Sequence, residues 1–197
     1  MKNRREYIVR KAMELYALEG YYNVSITDLQ NALEIGRGTL YYYFKDQEEL
    51  FMTCMEQYIL EPKQHALNSV NNDVTVEQMI HTMLKYLGCL EEALMTFDNK
   101  RINTSHVNNL MFAAYSLFPT LHRKAQRLAL KEVDLWRKAI YNSQRLGIIK
   151  HGIDVDQIAL MFAHIKNSYD NGLGRAQMNF QLLEQTYYAL YNLLKNE

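Results

Sequence analysis

Residues 25–50 constrain the fold of this chain more than any other stretch, because they hold the start signals of separate short helices. Ser25 is followed three residues later by Asp28, a spacing in which each side chain can bond the other residue's backbone N–H at a helix start. Asp46 and Glu49 repeat this pattern. Helices that begin so close together must be short, and short helices are stable only when they pack on others. The stretch therefore predicts a compact group of short helices.

Apolar residues at helical spacing predict which faces of these helices are buried. A helix from Ser25 is expected to end near Leu33, and after the turn of residues 34–36 another is expected over about 37–44. The residues expected to face the interior are Ile26, Leu29, Leu33, Leu40 and Phe44. The remaining side chains of the second of these helices are therefore expected at its surface or edges.

The composition favours long helices for the rest of the chain. Only two of the 197 residues are prolines and eight are glycines, and runs of alternating polarity are scarce. A hydrophobic content of 48% is typical of a globular protein. Apolar spacing and capping residues predict helices over 3–19, 75–96, 105–117, 119–146, 154–171 and 179–194, and a fourth helix from Asp46 that Pro62 kinks or splits. The sequence therefore predicts an all-α fold of about nine helices.

Charge and cysteine usage say little about a partner but bear on location. The chain has 22 basic and 22 acidic residues, and residues 1–45 hold seven basic against five acidic ones, a weak basic bias. Cys54 and Cys89 lie in apolar helical surroundings and are expected to be buried free thiols. The N-terminus has no apolar signal core, and the longest apolar run, near 110–118, is too short to span a membrane. A cytoplasmic protein without a membrane partner is expected.

The predicted helix over 37–44 has the residue types that fit the major groove of DNA. Arg37 can form a fork of hydrogen bonds to a guanine or to a phosphate, and Gly38 allows close approach of the backbone. Thr39 and the hydroxyls of Tyr41–Tyr43 can bind phosphate oxygens. Three consecutive tyrosines cannot all be core residues, because successive side chains point about 100° apart on a helix. A helix-turn-helix that binds DNA is therefore predicted.

These residues resemble the N-terminal domain of the TetR/AcrR transcriptional regulators, and the spacing holds without gaps over about fifty residues. The matching segments are Ile8-Val9, Ala12, Leu15-Tyr16, Gly20, Thr27-Asp28-Leu29, Ile35 to Tyr41, Phe44-Lys45 and Glu48-Glu49-Leu50. The resemblance implies a three-helix DNA-binding domain over residues 1–46 and a helical effector-binding and dimerisation domain over 47–197. It implies DNA contacts from Thr27, Arg37, Gly38, Thr39, Tyr41, Tyr42, Tyr43 and Lys45.

The sequence departs from the family pattern at Glu34, Gln47, Gln30 and Leu33. Glu34 stands where the family usually has a turn glycine, and a left-handed Glu costs about 1 kcal/mol or more. Gln47 stands where a phosphate-binding lysine is common. Gln30 and Leu33 replace small residues of the second helix, which is expected to change its packing slightly. Modest nonspecific DNA affinity is expected, with a slope of log K against log salt no steeper than about −6.

The last two predicted helices are apolar on more than one face, so each needs two packing partners. We expect two copies of each to form a four-helix interface in a two-fold homodimer. The residues predicted for this interface are Ile158, Phe162, Ile165, Leu183, Tyr187, Leu190 and Leu194.

A ligand pocket is predicted from methionines and aromatic residues on inward stripes of the middle helices, which suit an adaptable apolar cavity. The candidates are Met79, Met83, Tyr86, Leu90, Met111, Phe112, Tyr115 and Trp136. For each of these residues, ordinary core packing is the alternative interpretation. No metal spacing, nucleophile–base pair or phosphate loop is evident, so neither an enzyme nor a cofactor is expected.

The expected function is that of a one-component repressor that leaves a palindromic double-stranded operator when an apolar or amphipathic small molecule binds. Two alternatives stay open at this point. One is an all-α carrier or enzyme that acts on apolar molecules. The other is a regulator that responds to no effector.

Overall fold

The computed structural model describes residues 2–98, 102, 104–171 and 179–196, and these form helices joined by turns. The helices are α1 (Lys2–Glu19), α2 (Ile26–Leu33), α3 (Arg37–Tyr43), α4 (Gln47–Met55), α5 (Glu61–Asn68), α6 (Val76–Met95), α7 (Thr104–Leu117), α8 (Pro119–Arg145), α9 (Val155–Asn171) and α10 (Phe180–Leu194). A 3-10 turn, Tyr21–Asn23, precedes α2, and a π-helical segment, Glu56–Leu60, joins α4 to α5. With residues 47–68 counted as one interrupted helix, the described ranges contain nine helices and no strand, which confirms the predicted all-α fold.

The predicted helix starts are confirmed by side-chain caps. Ser25 Oγ accepts from the Asp28 backbone N–H at 3.2 Å, and Asp28 Oδ2 accepts from the Ser25 N–H at 2.8 Å, a complete capping box. Asp154 and Asn179 cap α9 and α10 in the same way as Ser25 caps α2. Each cap satisfies a backbone donor that the helix itself leaves without a partner.

Only one of the two hydrogen bonds predicted for the cap of α4 is present. Asp46 Oδ1 accepts from the Glu49 N–H at 2.8 Å, but the Glu49 carboxylate accepts from the N–H of Lys45 at 2.7 Å, the residue before the cap. The two bonds fix the chain on both sides of Asp46. They hold the end of α3 close to the start of α4.

The disruption expected at Pro62 lies one turn before the proline, in the π-helical segment Glu56–Leu60. A proline has no N–H to donate, and its ring collides with the carbonyl four residues back. A widened turn just before it relieves that collision without ending the helix.

Contacts divide the chain into two compact units, Met1–Glu61 with Leu90–Lys124 and Pro62–Cys89 with Ala125–Glu197. We call them the first and the second unit. Their boundaries fall inside α5, α6 and α8. Because the units are defined by packing alone, a functional boundary after residue 46 stays a prediction.

The core of the first unit is formed by apolar residues of α1 and by most of the residues of α2 and α3 that were predicted to face inward. Ile8, Ala12, Leu29, Leu33, Leu40 and Phe44 are buried, whereas Leu15 and Ile26 are half-buried. The Tyr16 ring meets Phe51 of α4 edge-on at 5.0 Å, and Phe118 lies 5.3 Å from Phe51. The short helices are thus held by a shared aromatic core, as helices of this length require.

The core of the second unit centres on three nearly parallel rings from α8, α9 and α10. The Trp136 ring lies 4.6 Å from Phe162 and 5.8 Å from Tyr187, and all three residues are fully buried.

Cys54 is buried as expected, but Cys89 is exposed, which corrects the prediction for that thiol. None of the helices described is long and apolar enough to cross a membrane.

Candidate nucleic-acid interface

The turn between α2 and α3 depends on a left-handed residue that is not glycine. Glu34 has φ 52° and ψ 43°, and it is the only described residue other than glycine with a positive φ. Its N–H donates to the carbonyl of Asn31 at 3.3 Å, and the N–H of Ile35 donates to that of Gln30 at 3.1 Å. This turn ends α2 and sets the direction in which α3 leaves it, and Ile35 in the turn is buried. The strain expected at Glu34 is therefore present in the fold.

Replacing Glu34 with glycine is expected to raise the free energy of unfolding by about 0.5–1 kcal/mol. Glycine removes a left-handed penalty of about 1–2 kcal/mol, but its freedom in the unfolded chain cancels part of that gain. Urea unfolding monitored by circular dichroism measures the difference. Glu34→Ala is the matched control, since alanine keeps the penalty and should bring no gain. Equal stabilisation by both substitutions would show that the charge, and not the backbone, limits stability.

Helix α3 is anchored by Leu40 and by Phe44 at its end, and it presents its other residues to solvent. Tyr42 is 67% exposed. Of the residues predicted to contact DNA, those that are exposed are Thr27, Arg37, Gly38, Thr39, Tyr41, Tyr42 and Lys45, and Tyr43 is half-buried. In the part of the chain that the structure describes, these seven residues are therefore open to solvent. Their contact with DNA stays a prediction.

Aromatic rings support the basic and polar groups of this surface. The Arg37 guanidinium lies 5.6 Å from the centre of the Tyr41 ring, and Tyr42 and Tyr43 meet edge-on at 5.0 Å. Arg5 of α1 lies 4.9 Å from the centre of the Phe44 ring. Such contacts restrict long side chains before any partner binds, so less conformational entropy is lost on binding.

Gln47 has a structural contact that sequence reasoning missed. Its Nε2 donates to the carbonyl of Val24 at 2.5 Å, which ties the first residue of α4 to the segment before α2. A lysine at this position could not fold back to Val24 and also reach a phosphate. Gln47, which was noted for the absence of a cation, therefore has a structural role through its contact with Val24.

Sequence reasoning also missed a cluster of charged residues around the buried carboxylate of Glu14 in α1. It accepts from Arg10 at 3.1 Å, from Lys11 at 3.3 Å and from the backbone N–H of Asp98 at 3.0 Å. The side chain of Asp98 also accepts from Lys11 and Arg10, and these bonds lower its pKa. The cluster fixes α1 to the segment after α6 within the first unit. Asp98 is more than eighty residues away from the α1 members in sequence, so no local pattern could reveal its contact with them.

The residues predicted for the ligand pocket fall in different units. Met79, Met83, Tyr86 and Trp136 are buried in the core of the second unit. Leu90, Met111 and Tyr115, which belong to the first unit, are half-buried. Phe112 is 61% exposed, so the prediction that it lies on an inward stripe is wrong. Burial raises the pKa of Tyr115 to about 12. A pocket built from these residues stays a prediction.

The residues predicted for the dimer interface need a correction. Phe162, Leu183, Tyr187 and Leu194 are buried in the core of the single chain, so they are not available to a second copy. The other three residues of the prediction, which are Ile158, Ile165 and Leu190, are half-buried. Among the residues of these two helices whose burial is described, the large apolar side chains that are exposed are instead Leu160 and Met161 on α9 and Leu193 on α10. The described ranges also contain no group of three or more His, Cys, Asp or Glu side chains that could hold a metal ion.

Comparisons with known sequences identify the N-terminal part. Residues 8–53 match the family described as bacterial regulatory proteins, tetR family. The chain is 21% identical over 174 residues to the uncharacterized HTH-type transcriptional regulator YerO of Bacillus subtilis, covering 87% of this chain and 56% of that protein. It is 29% identical over 58 residues to the uncharacterized regulator YuxN of the same bacterium, covering 29% of this chain and 20% of that protein. The chain thus spans about half the length of the first relative and a fifth of the second.

Solved structures match along almost the whole chain. A TetR transcription regulator from Haloarcula marismortui has a TM-score of 0.72 at 11% identity, with 100% of both chains covered. A putative transcriptional regulator from Saccharomonospora viridis, solved in complex with choline, has a TM-score of 0.69 at 14% identity, again with 100% of both chains covered. The TetR family regulator PfmR from Thermus thermophilus has a TM-score of 0.64 at 18% identity, covering 94% of this chain and 97% of that one.

At identities this low, the structural likeness establishes only the fold. The family match is a separate finding from the sequence, and its residues include α2 and α3. The resemblance drawn from the sequence is confirmed by the two together. Residues 8–53 thus resemble the tetR family of bacterial regulatory proteins, and the chain has the fold of the solved TetR-family regulators.

Proposed function

We propose that the protein is a homodimeric repressor that binds a palindromic operator through α3 and leaves it when a small molecule binds. The observation that carries the proposal is the surface of α3, where arginine, threonine and tyrosine side chains are exposed above the buried Leu40. These side chains can donate hydrogen bonds to base edges and phosphates. A cytoplasmic location, where the protein can meet its DNA, belongs to the same proposal.

The test is fluorescence anisotropy with labelled duplex DNA taken from next to the protein's own gene. We expect tighter binding to this duplex than to a shuffled duplex of equal length. Affinity should fall with salt along a slope of log K no steeper than about −6, because few cations lie at the surface. Equal affinity for both duplexes at physiological salt would contradict a sequence-specific regulator.

A two-fold dimer is proposed because a palindromic operator mirrors the symmetry of its reader. Leu160 and Met161 are neighbours on the exposed side of α9, and Leu193 is exposed on α10. Met161 is 51% exposed in the single chain. Apolar side chains exposed on adjacent helices are typical of a surface that a second copy covers.

Replacing Met161 with aspartate is expected to shift the dimer towards monomer, because the interface would then bury an unpaired carboxylate. Light scattering after size-exclusion chromatography at micromolar concentration measures the molar mass. Leu130→Asp is the matched control, since Leu130 is also exposed but lies on α8. If the control dissociates and Met161→Asp stays dimeric, the interface lies on α8 and the proposed surface is wrong.

A further inference from the structure

The outermost residues of α3 are a glycine and a tyrosine. Gly38 and Tyr42 each lie two residues from the buried Leu40, and because successive residues are about 100° apart on a helix, both lie nearly opposite to it. Tyr42 is 67% exposed, whereas Tyr41 is 41% exposed and Tyr43 is half-buried. We call these two residues the Gly38–Tyr42 row. A partner that approaches α3 from the side opposite Leu40 therefore meets this row first.

Neither the backbone nor the packing of the chain requires a glycine at position 38. Its φ is not positive, and an added Cβ would meet no atom within 4 Å beyond its chain neighbours and its own helix backbone. Glycine is less favourable than alanine within a helix, so it weakens a helix that is already short. A glycine at a position where the chain leaves room indicates close approach of a partner to the backbone. The row thus combines a recess at Gly38 with a projecting ring at Tyr42.

The residue types of α3 match only part of the base pattern of the major groove. There, arginine pairs with guanine, asparagine or glutamine with adenine, and an acidic side chain with cytosine, while thymine offers a methyl group for apolar contact. The residues of α3 are Arg-Gly-Thr-Leu-Tyr-Tyr-Tyr, without an amide or acidic side chain. Arg37 can form a fork of hydrogen bonds, and the other exposed groups include the Thr39 methyl and the tyrosine rings. Helix α3 is therefore suited to guanine at one position and to thymine at others.

Neighbouring rings orient both kinds of side chain before DNA binds. The half-buried Tyr43 ring meets the Tyr42 ring edge-on at 5.0 Å, and the Arg37 guanidinium lies 5.6 Å from the centre of the Tyr41 ring. A side chain that is already held in place loses less conformational entropy when it binds. The ring of Tyr42 is thus a fixed apolar surface on the outermost row of the helix.

We propose that Tyr42 is a specificity-determining residue whose ring contacts the C5 methyl of a thymine in each operator half-site, beside a guanine bound by Arg37. This assignment rests on the proposed function. DNA contact by Tyr42 is what the family resemblance implies, whereas the group that Tyr42 meets is inferred from the surface of α3. The contact is made by the ring and does not need the hydroxyl.

The test begins with the duplex that the wild type prefers in the anisotropy assay. Each thymine in turn is replaced with deoxyuridine in both half-sites, which removes the C5 methyl and keeps the base pair. We expect a thymine at which this exchange weakens binding about fourfold per half-site, the factor that corresponds to burying one methyl group. If no exchange weakens binding, the proposal is wrong.

Variants of the full chain assign the methyl group to its partner. Tyr42→Ala should bind the thymine and deoxyuridine duplexes equally, because the methyl group then has no ring to meet. Tyr42→Phe keeps the ring and should keep the fourfold preference. Tyr41→Ala is the matched control, since the neighbouring tyrosine is also exposed but lies beside the row, and it should keep the preference even where its overall affinity falls.

A preference that persists in Tyr42→Ala, or that is lost in Tyr42→Phe or Tyr41→Ala, would overturn the proposal. Loss of the preference in Tyr42→Phe would assign the contact to the hydroxyl, which bonds phosphates and polar base edges. Thermal unfolding monitored by circular dichroism checks the fold of each variant. The midpoint of Tyr42→Phe should equal that of the wild type, because the hydroxyl of an exposed tyrosine contributes little to stability.

The same assay separates a failure of the thymine contact from a failure of the proposed function. If the wild type prefers no duplex over its shuffled counterpart, the proposed function fails and the thymine contact fails with it. If the wild type prefers one duplex but responds to the loss of no methyl group, the regulator stands and the contact is wrong. If the response to a methyl group disappears with the ring of Tyr42, both stand.

Discussion

Replacing Glu132 with glutamine is expected to lower the free energy of unfolding by about 3 kcal/mol, the low end of the cost of breaking a buried ion pair. In the second unit, Nζ of Lys63 on α5 and Nζ of Lys166 on α9 both contact the buried carboxylate of Glu132 on α8. We call these three residues the Glu132 cluster, and the substitution removes the negative charge that both lysines contact. The low end applies because both lysine side chains keep some exposure and can turn towards water. Urea unfolding at pH 7 measures the loss.

Glu184→Gln on α10 is the matched control, because Glu184 is exposed, and its effect should stay within about 0.5 kcal/mol. An effect of Glu132→Gln as small as that of the control would show that the cluster contributes nothing to stability.

The same cluster gives stability a defined dependence on pH. Burial raises the pKa of Glu132, but the charges and hydrogen bonds of Lys166 and Lys63 outweigh it and hold the pKa below its ordinary value of 4.5. A carboxylate with a lowered folded pKa contributes stability above the unfolded value and loses it as pH falls through the folded value. The difference in the free energy of unfolding between the wild type and Glu132→Gln should therefore have its full value at pH 7 and decrease below pH 4.5.

Replacing Arg37 with alanine is expected to weaken operator binding at least tenfold, since an arginine contact to a base is worth about 1–3 kcal/mol and a dimer loses two. The free energy of unfolding should change by less than about 1 kcal/mol, because Arg37 is exposed and loses only its contact with the Tyr41 ring. Fluorescence anisotropy and urea unfolding on the same preparation separate the two effects.

Arg145→Ala removes the same charge from the exposed end of α8 and serves as the control. It should leave operator binding nearly unchanged. Equal losses in both variants would mean that net charge, and not the position of Arg37, governs affinity. A parallel loss of stability and binding in Arg37→Ala would make the residue structural.

The parts of the fold that local chemistry determines could be predicted from the sequence. A cap needs a side chain three residues before the donor it satisfies, so Ser25, Asp154 and Asn179 mark helix starts without knowledge of the rest. The burial of Leu40 and Phe44 follows from their spacing in the same way. The effect of Pro62 was predicted, but a π-helical turn before it was not, because the helix had more than one way to relieve the collision.

The parts that depend on distant residues could not be predicted. An apolar stripe shows that a residue is covered but not by what, and for this reason Phe162 and Tyr187 were assigned to a second copy when they pack inside one chain. The contacts of Glu132 with Lys63 and Lys166 form only when three helices assemble, so no local sequence pattern predicts them. Phe112 was placed inside because its helix is apolar on several sides.

The left-handed turn at Glu34 also bears on the charge of the surface that is proposed to bind DNA. A single exchange to glycine would relieve the backbone and also take a negative charge away from the unit that carries α3. Both changes act in the same direction, towards a more stable domain with a stronger attraction for polyanions. If α3 binds DNA as proposed, glutamate in this turn weakens the nonspecific part of that binding relative to glycine.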